Sequence, residues 1–477
     1  MMEDVLKQIF RYDGFRDGQR QIVESVLDGH DTVAILPTGG GKSICYQLPS
    51  YLQTTGLTLI VSPLLSLIED QVMQIKRRGE RSVAKLTSLE SRDQKDHILR
   101  HLNQLRYLYL SPEQLAVPQI QQRLADIKIN LFVVDEAHCI SQWGHEFRTE
   151  YAKLGSIRKQ LGNPTCLALT ATATNQVEQD IIQGLALTQP NRIRHSVNRP
   201  EIQLIVEQTE QNEKDAVLKR RLKTTNRPCV IYTTTRKEAE RIAAFVPQAA
   251  YYHAGLEPED RQLIQQQFLH DEIDCLVCTS AFGMGVDKGN VRTVIHYTMP
   301  ATIEAYMQEI GRAGRDGQPS TAVLLYAPGD PQLQQFLADK QYASLLWIDQ
   351  VTQSRGQGES FESIEQRLHL EPDDPAYRLL KSQLKEGKTK SQIIDWQENR
   401  KKIRLRELMQ MINYIQNTFC RRAFILEHFG EKPVVQDRCC DNCGTLTVDE
   451  PVIEVDVNQL DWKRRLEEVF FSSRPSV

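Results

Sequence analysis

The chain reads as an α/β protein in which two parallel-sheet lobes are followed by a helical region that carries a small cysteine-rich module. Three observations predict this. From residue 20 to about 327, short apolar runs alternate with helical patterns, as expected where parallel strands are joined by crossover helices. After Tyr326 the strand signals thin out and helical periodicity takes over. Near the end, Cys420, Cys439, Cys440 and Cys443 cluster within 24 residues.

The strand candidates, in order, are DTVAIL, LTLIVS, LRYLYLS, LFVVD, CLALT, CVIYT, DCLVCT, TVIHY and AVLLY. These are many strands for one sheet, and a break fits between residues 196 and 228. There SVNRPEIQL has linker character and a helical pattern rich in Lys and Arg follows. Two lobes are therefore expected, about 1–197 and 198–328. Residues 329–410 are expected to form a helical linker or insertion, 411–445 the cysteine module, and 446–477 a short tail. Within this region QSRGQGES, at 353–360, reads as a solvent-exposed loop. Residues 396–417 read as a helix whose apolar set is Ile403, Leu405, Leu408, Met411, Ile412 and Ile415.

A chain of 477 residues is too long for a single core. Its 40% hydrophobic and 25% charged residues are ordinary for a soluble globular protein. A net charge of −4 gives no global attraction for nucleic acid, so any such binding has to rest on local basic patches. The start, MMEDVLKQIFRYDGF, lacks the apolar core of a signal peptide. No stretch approaches the roughly 18 apolar residues of a membrane span. No membrane contact is expected, and the location is expected to be cytoplasmic, at the nucleoid in a bacterium or in the nucleus of a eukaryote. Cys45, Cys139, Cys166, Cys229, Cys275 and Cys278 are scattered, most of them in apolar runs where a buried thiol is the simplest expectation. Cys275 and Cys278 sit in a strand-like run, so they face opposite ways and do not share a metal.

LPTGGGKS at 36–43 follows the strand DTVAIL and precedes a helical SICYQL. That is the setting of a phosphate-binding loop, in which Thr38, Gly39, Gly40 and Gly41 turn backbone N–H groups toward phosphate. Lys42 would reach the β- and γ-phosphates of ATP, and Ser43 would bind Mg2+. Leu36 stands where the strict signature has glycine, and a plain glycine-rich turn is the alternative. The run LFVV ends in Asp135 and Glu136. Asp135 would hold magnesium through water, and Glu136 would orient or deprotonate the attacking water. His138 is better placed to link this site to its neighbours than to ligate metal. A solvated acidic turn is the alternative here. GRAGRDG at 311–317 offers Arg312 and Arg315, three residues apart and on one face if helical. Delivered from the second lobe, a guanidinium would stabilise transition-state charge on lobe closure. A basic surface loop is the rival reading.

The carboxylates run directly into CISQWGHEFR, a loop carrying Trp143 and Phe147 among His145, Glu146 and Arg148. An aromatic platform beside a hydrolysis site points to a motor that stacks bases without reading their edges. Trp143 and Phe147 are candidates for stacking, and His145 and Arg148 for relaying contact. Ser62 and Ser66 in SPLLS could bind backbone phosphate. RKKIRLR at 400–406 holds five cations, for which a solvated helix face is as good a reading as phosphate tracking.

At this point the chain resembles the RecQ family of superfamily-two DNA helicases. The match runs in order through FRDGQ, LPTGGGKS, IVSPLLSL, YLSPEQL, DEAHCISQWGHEF, ALTATAT, VIYTTTR, YHAGL, TSAFGMGVDKGNV and QEIGRAGRDG, over roughly residues 8 to 328, and CRR…HFGE…CDNC extends it to 443. The resemblance implies two RecA-like lobes with ATP between them, then a helical region with a zinc-binding module. It implies adenine recognition by Tyr12, Arg16 and Gln19, and makes Arg315 the arginine finger, with Arg312 in support. Gln308 would face the nucleotide cleft, and Arg236 and His253 would belong to the second lobe's share of the strand groove. It further implies 3′ to 5′ translocation on single-stranded DNA and unwinding of forked and duplex DNA, in repair and recombination, with a single-stranded-DNA-binding protein as a partner.

Four thiolates suit tetrahedral structural Zn2+. The family commonly places one cysteine three residues before the final pair, where this chain has Asp437. Cys420, Cys440 and Cys443 are therefore taken as ligands, Cys439 as the fourth, and Asp437 or His428 as its alternatives. A degenerate, metal-free knot is the remaining possibility. The 34 residues after Cys443 are too few for the winged-helix and small helical domains of many relatives, so the lobes and the Trp143 loop are expected to carry the DNA coupling. Two rival functions stay open on the residues alone: an RNA-directed helicase, and a nucleotide-gated clamp or annealing scaffold.

Overall fold

The computed structural model describes residues 2–53, 55–141, 150–282, 288–372, 374–433 and 438–444. The first lobe is built on a seven-stranded sheet of β1 (Thr32–Ile35), β2 (Leu57–Val61), β3 (Val83–Leu86), β4 (Tyr107–Leu110), β5 (Ile129–Val134), β6 (Thr165–Thr170) and β7 (Asn191–Arg194). The second is built on a six-stranded sheet of β8 (Ile202–Gln208), β9 (Cys229–Tyr232), β10 (Ala249–Tyr252), β11 (Cys275–Cys278), β12 (Thr293–His296) and β13 (Ser320–Tyr326). Their strand orders are β3-β4-β2-β5-β6-β1-β7 and β10-β11-β9-β12-β13-β8. Every pairing is parallel.

All nine strand candidates form. The four strands the apolar runs do not disclose are β3, β7, β8 and β10, and these are the edges of the two sheets. An edge strand is covered on fewer sides, so its sequence mixes polar residues into the run. Thus β3 is VAKL and β7 is NRIR. The linker reading of SVNRPEIQL is corrected in its second half, where Ile202, Gln203 and Leu204 open β8.

Each sheet separates two apolar layers. Leu57, Leu59 and Val61 face one core of the first lobe, and Ile60 the other. In the second lobe, Cys278 falls in one core and Cys275 in the core on the other face, as alternation along a strand requires. The N-terminal helix Met2–Phe10 packs Leu6 and Phe10 against Ile44 and Leu48 of the helix that follows the phosphate loop.

Beyond Tyr326 the chain is helical among its described residues, with a small core of its own formed by Ile348, Val351, Phe361, Ile364, Tyr377, Leu380 and Ile393. The helix Lys390–Gln416 leads from that core, at Ile393, to the second lobe's core, which it joins through Leu408, Met411, Tyr414 and Ile415. Two expectations are corrected here. Gln353–Gly356 lie inside the helix Leu345–Gly356 rather than in a loop. Leu405, placed in the apolar set of its helix, is 48% exposed. The basic run is not one solvated face either: Arg400 is buried, while Lys401 pairs with Glu398 and Arg404 with Glu407.

The cysteine module docks on the edge strand β8. Leu204 N donates to Cys439 O at 3.2 Å, and Val206 N to Asp441 Oδ2 at 3.1 Å. The helix Arg421–His428 then reaches both lobes: Arg194 Nη1 donates to Phe429 O, and His428 Nε2 lies 2.7 Å from Glu304 Oε1. No helix among the described residues is long and apolar enough to cross a membrane.

Candidate active site

Three adjacent strands of the first sheet, β1, β6 and β5, end at one edge, where ligands of open parallel sheets collect. After β1 comes the loop Leu36–Ser43, and then the helix Ile44–Leu52. Gly41 adopts φ +71°, a conformation that favours glycine, and a Cβ there would stand 2.4 Å from Gln19 Nε2 and displace that amide. After β5 come Asp135 and Glu136, each 7% exposed. Glu136 lies in the left-handed region at φ 48°, ψ 48°, a conformation costing an L-residue about 1–2 kcal/mol. Its carboxylate meets Lys42, with Nζ to Oε1 at 3.0 Å.

Between these two strand ends, β6 supplies Thr170. His138 Nδ1 lies 3.0 Å from Thr170 Oγ1 and 3.4 Å from Glu136 Oε2, so His138 links the acidic turn to the ALTATAT segment. Tyr151 donates to Asp135 O at 3.0 Å and holds the strand end from below. Burial, reinforced by the neighbouring Glu136 carboxylate, pushes Asp135 up to about 6. A site that resists a second negative charge in this way is one that a cation would relieve. The donor set of Ser43 and Asp135 fits Mg2+ in that respect.

The FRDGQ segment closes one end of the cleft. Gln19 accepts from Arg16 N at 2.9 Å and donates to Gly40 O at 3.0 Å and Gly41 O at 3.1 Å. Arg16 Nη1 also reaches Gly39 O. Tyr12 is 43% exposed at the rim. Gln71, Gln74 and Arg78 line the same space from the helix Leu65–Arg77 and its C-cap. Sequence reading passed over them, although their i, i+3, i+7 spacing marks one helix face.

The second lobe supplies the opposite wall. Gln308 lies in the last turn of the helix Ile303–Ile310, and Arg312 and Arg315 follow. All three line the cleft with Lys42, Ser43, Asp135 and Glu136, in a cavity of about 200 Å³. The approach is close: a Cβ on Gly39 would stand 3.2 Å from Arg315 Cγ. Arg199, unmarked by any motif, spans the seam. Its Nη1 donates to Thr38 O at 3.0 Å and Gly311 O at 2.8 Å, and its Nη2 to Ala313 O at 2.7 Å.

The residues read as strand contacts divide. Ser66 lies half-buried in the first turn of the helix Leu65–Arg77. Ser62 is 1% exposed, so its hydroxyl is not presented at the surface. Arg236 is exposed beside Gly255. His253 is buried, with Nε2 3.0 Å from Glu240 Oε1 and Nδ1 accepting from Gly255 N; both ring nitrogens are thus engaged in holding this loop. Trp143, His145, Phe147 and Arg148 lie outside the described residues, as do Asp437 and the tail from 445.

Cys420, Cys439, Cys440 and Cys443 come together, with all four Sγ atoms within 4.8 Å of one another. Three of the separations are 3.4, 3.9 and 3.4 Å, close to the ~3.8 Å edge of a ZnS4 tetrahedron built on ~2.3 Å bonds. Arg421 N donates to Cys440 Sγ at 3.3 Å, the outer contact that orients a thiolate ligand. The donor set fits zinc. His428 is occupied by Glu304, which leaves Cys439 as the fourth donor among the described residues.

Comparison with known proteins agrees with this geometry. Residues 16–181 match the DEAD/DEAH box helicase family, 212–317 the helicase conserved C-terminal domain, and 380–444 the RecQ zinc-binding family. The chain is 42% identical over 459 residues to the probable ATP-dependent DNA helicase RecS of Bacillus subtilis, covering 93% of this chain and 92% of that one. It is 40% identical over 343 residues to the ATP-dependent DNA helicase RecQ of Haemophilus influenzae, covering 70% of this chain and 55% of that longer one. Among solved structures, S. cerevisiae Dbp5 bound to RNA and ADP BeF3 superposes with a TM-score of 0.57 at 17% identity, over 70% of this chain and 90% of that one. That likeness shows the two-lobed fold alone. The zinc-binding match and the near full-length identity to RecS place the chain in the RecQ family of ATP-dependent DNA helicases.

Proposed function

We infer that this chain is an ATP-dependent DNA helicase of the RecQ type that hydrolyses ATP between its lobes, moves 3′ to 5′ along single-stranded DNA and opens duplexes, serving DNA repair and recombination. The observation that carries the reading is the cleft itself. Lys42 and Glu136 of one lobe face Gln308, Arg312 and Arg315 of the other.

Lys42, now held by Glu136, would turn to the β- and γ-phosphates. That frees the Glu136 carboxylate to take the proton of the attacking water. His138 holds Glu136 from behind. Arg315 meets the charge that grows on the γ-phosphate, with Arg312 beside it. Tyr12, Arg16 and Gln19 bind the base. Ser43 and Asp135 would hold Mg2+, which when bound neutralises phosphate charge. Because both walls are needed, hydrolysis is tied to closure, and opening and closing alternate the grip on the strand.

Ser66 and Arg236 are assigned to the phosphates of that strand, and the loop carrying Trp143, His145, Phe147 and Arg148 to sensing it. A Trp143→Ala variant is expected to keep ATP binding and lose DNA-stimulated hydrolysis. The single strand would be shared with a single-stranded-DNA-binding protein, and the work is assigned to the interior of the cell. Strand separation on duplexes with a 3′ or a 5′ tail tests polarity: unwinding confined to the 5′-tailed duplex contradicts it. ATP hydrolysis with single-stranded DNA against RNA tests substrate class, and stimulation by RNA alone overturns the DNA reading.

A further inference from the structure

Arg199 lies in the connector between the sheets, after β7 ends at Arg194 and before β8 begins at Ile202. It is 8% exposed, and each of its three guanidinium nitrogens donates a hydrogen bond. Nε pairs with the Glu201 carboxylate. Nη1 donates to Thr38 O in the phosphate loop and to Gly311 O in the arginine-bearing turn, and Nη2 to Ala313 O in that same turn. One rigid fork therefore bonds the backbone on both sides of the ATP cleft, which a flexible ammonium cannot do.

The two segments it ties are those whose relation sets the chemistry. Thr38 precedes Gly39, whose α-carbon faces Arg315, and Arg315 follows Ala313 by two residues. The connector is itself anchored. Arg422, from the helix behind the cysteine module, donates through Nη1 to Asn198 Oδ1 at 2.7 Å and to Arg199 O at 2.8 Å. Arg199 thus has a fixed base and a fixed reach.

We propose that Arg199 is a positioning residue for ATP hydrolysis, holding the Arg315 turn in register with the phosphate loop without touching the nucleotide. This rests on the reading of the cleft as an ATP site with Arg315 as its finger. Lys42, Ser43 and the base-binding residues all belong to the first lobe, so loss of the Arg199 fork leaves nucleotide affinity in place and misplaces Arg315. The signature is a fall in kcat with little change in KM. It also makes the two arginines interdependent: once Arg315 is gone, Arg199 has nothing left to position.

The test is steady-state ATP hydrolysis by full-length Arg199→Gln, Arg315→Ala and the double variant, with affinity for a fluorescent ATP analogue and Tm measured alongside. Arg199→Lys, which keeps a positive charge beside Glu201, accompanies Arg199→Gln as a safeguard against a folding defect and is expected to behave like it. Arg315→Ala is expected to lower kcat on the order of 10³-fold. Arg199→Gln is expected to lower it roughly 10- to 100-fold, the scale of an ångström-level misplacement, with affinity within about 3-fold of wild type. The double variant is expected to match Arg315→Ala within about 3-fold. Unchanged kcat in both Arg199 variants, equal losses of affinity and kcat in both, or a double variant slower by the full Arg199 factor overturns the proposal. Wild-type kcat in Arg315→Ala instead overturns the reading of the ATP site on which it stands.

Discussion

Gly311 approaches Thr38 so closely that a Cβ on the glycine would stand 1.7 Å from the threonine hydroxyl. Thr38 belongs to the phosphate loop and Gly311 to the turn that carries Arg312 and Arg315, so a single glycine sets how near the two walls of the cleft come. Trimming the hydroxyl does not make room, because Thr38 Cβ at 2.8 Å and Met307 O at 2.9 Å stand next in line. Gly311→Ala is therefore expected to prop the lobes apart and lower kcat for ATP hydrolysis by roughly 100-fold, with a smaller effect on ATP affinity. Steady-state kinetics checks this, and a wild-type kcat contradicts it.

Asp70, on the helix Leu65–Arg77 of the first lobe, accepts from Gln265 Nε2 of the second at 3.0 Å. Burial pushes its carboxyl up to about 6. The sign follows from linkage: a group with a raised folded pKa favours the folded, closed form below its ordinary pKa and loses that contribution as pH rises through about 6. Asp70→Asn removes the charge and keeps the shape. Its unfolding free energy in chemical denaturation is expected to overtake that of wild type as pH rises from 4 to 8, by an amount on the order of 2 kcal/mol, and its Tm to rise with it. Parallel Tm curves for the two proteins would contradict the assignment.

Zinc content separates the alternatives for the fourth ligand. One zinc per chain is expected, lost in Cys439→Ser as in Cys443→Ser, and retained in His428→Gln, whose ring is engaged by Glu304. Chelation is expected to lower Tm, because metal binding and folding of such a module are one equilibrium. Because Cys439 O and Asp441 clamp β8, the loss should reach the second lobe. Full zinc content in Cys439→Ser contradicts the four-thiolate site.

Lys214 and Asp330 form a buried pair, 1% and 2% exposed, with Nζ 2.6 and 2.7 Å from the two carboxylate oxygens and 2.8 Å from Tyr297 O. Burial pulls the Lys214 ammonium below its ordinary value, while Asp330 acts to keep it charged. Asp330→Ala strands that charge and is expected to cost about 3–5 kcal/mol in chemical denaturation. Lys214→Met with Asp330→Leu is expected to cost less than Asp330→Ala alone, and the reverse order contradicts the account.

What could be read from the residues, and what could not, follows burial. The inner strands β1, β2, β4, β5, β6, β9, β11, β12 and β13 are covered on both faces, so they announce themselves as apolar runs. The edges β3, β7, β8 and β10 do not, and β8 is hidden further because the cysteine module completes it. The phosphate loop, Asp135–Glu136 and Arg312–Arg315 are visible because each carries its chemistry in a short contiguous motif. Arg199 is not: its role comes from backbone carbonyls 161, 112 and 114 residues away, which no local pattern encodes. Leu405 shows the opposite error. Helical periodicity places it on an apolar face, yet the face it occupies in the long helix is left uncovered.

A 3′-tailed duplex incubated with ATP, Mg2+ and either wild type or Lys42→Ala shows whether hydrolysis at this cleft drives strand separation. Lys42 is the group whose Nζ lies 3.0 Å from Glu136 Oε1. Strand separation is expected from the wild type and none above background from Lys42→Ala, with both proteins folded by Tm. Equal strand separation by the two, or none by either, would contradict that expectation.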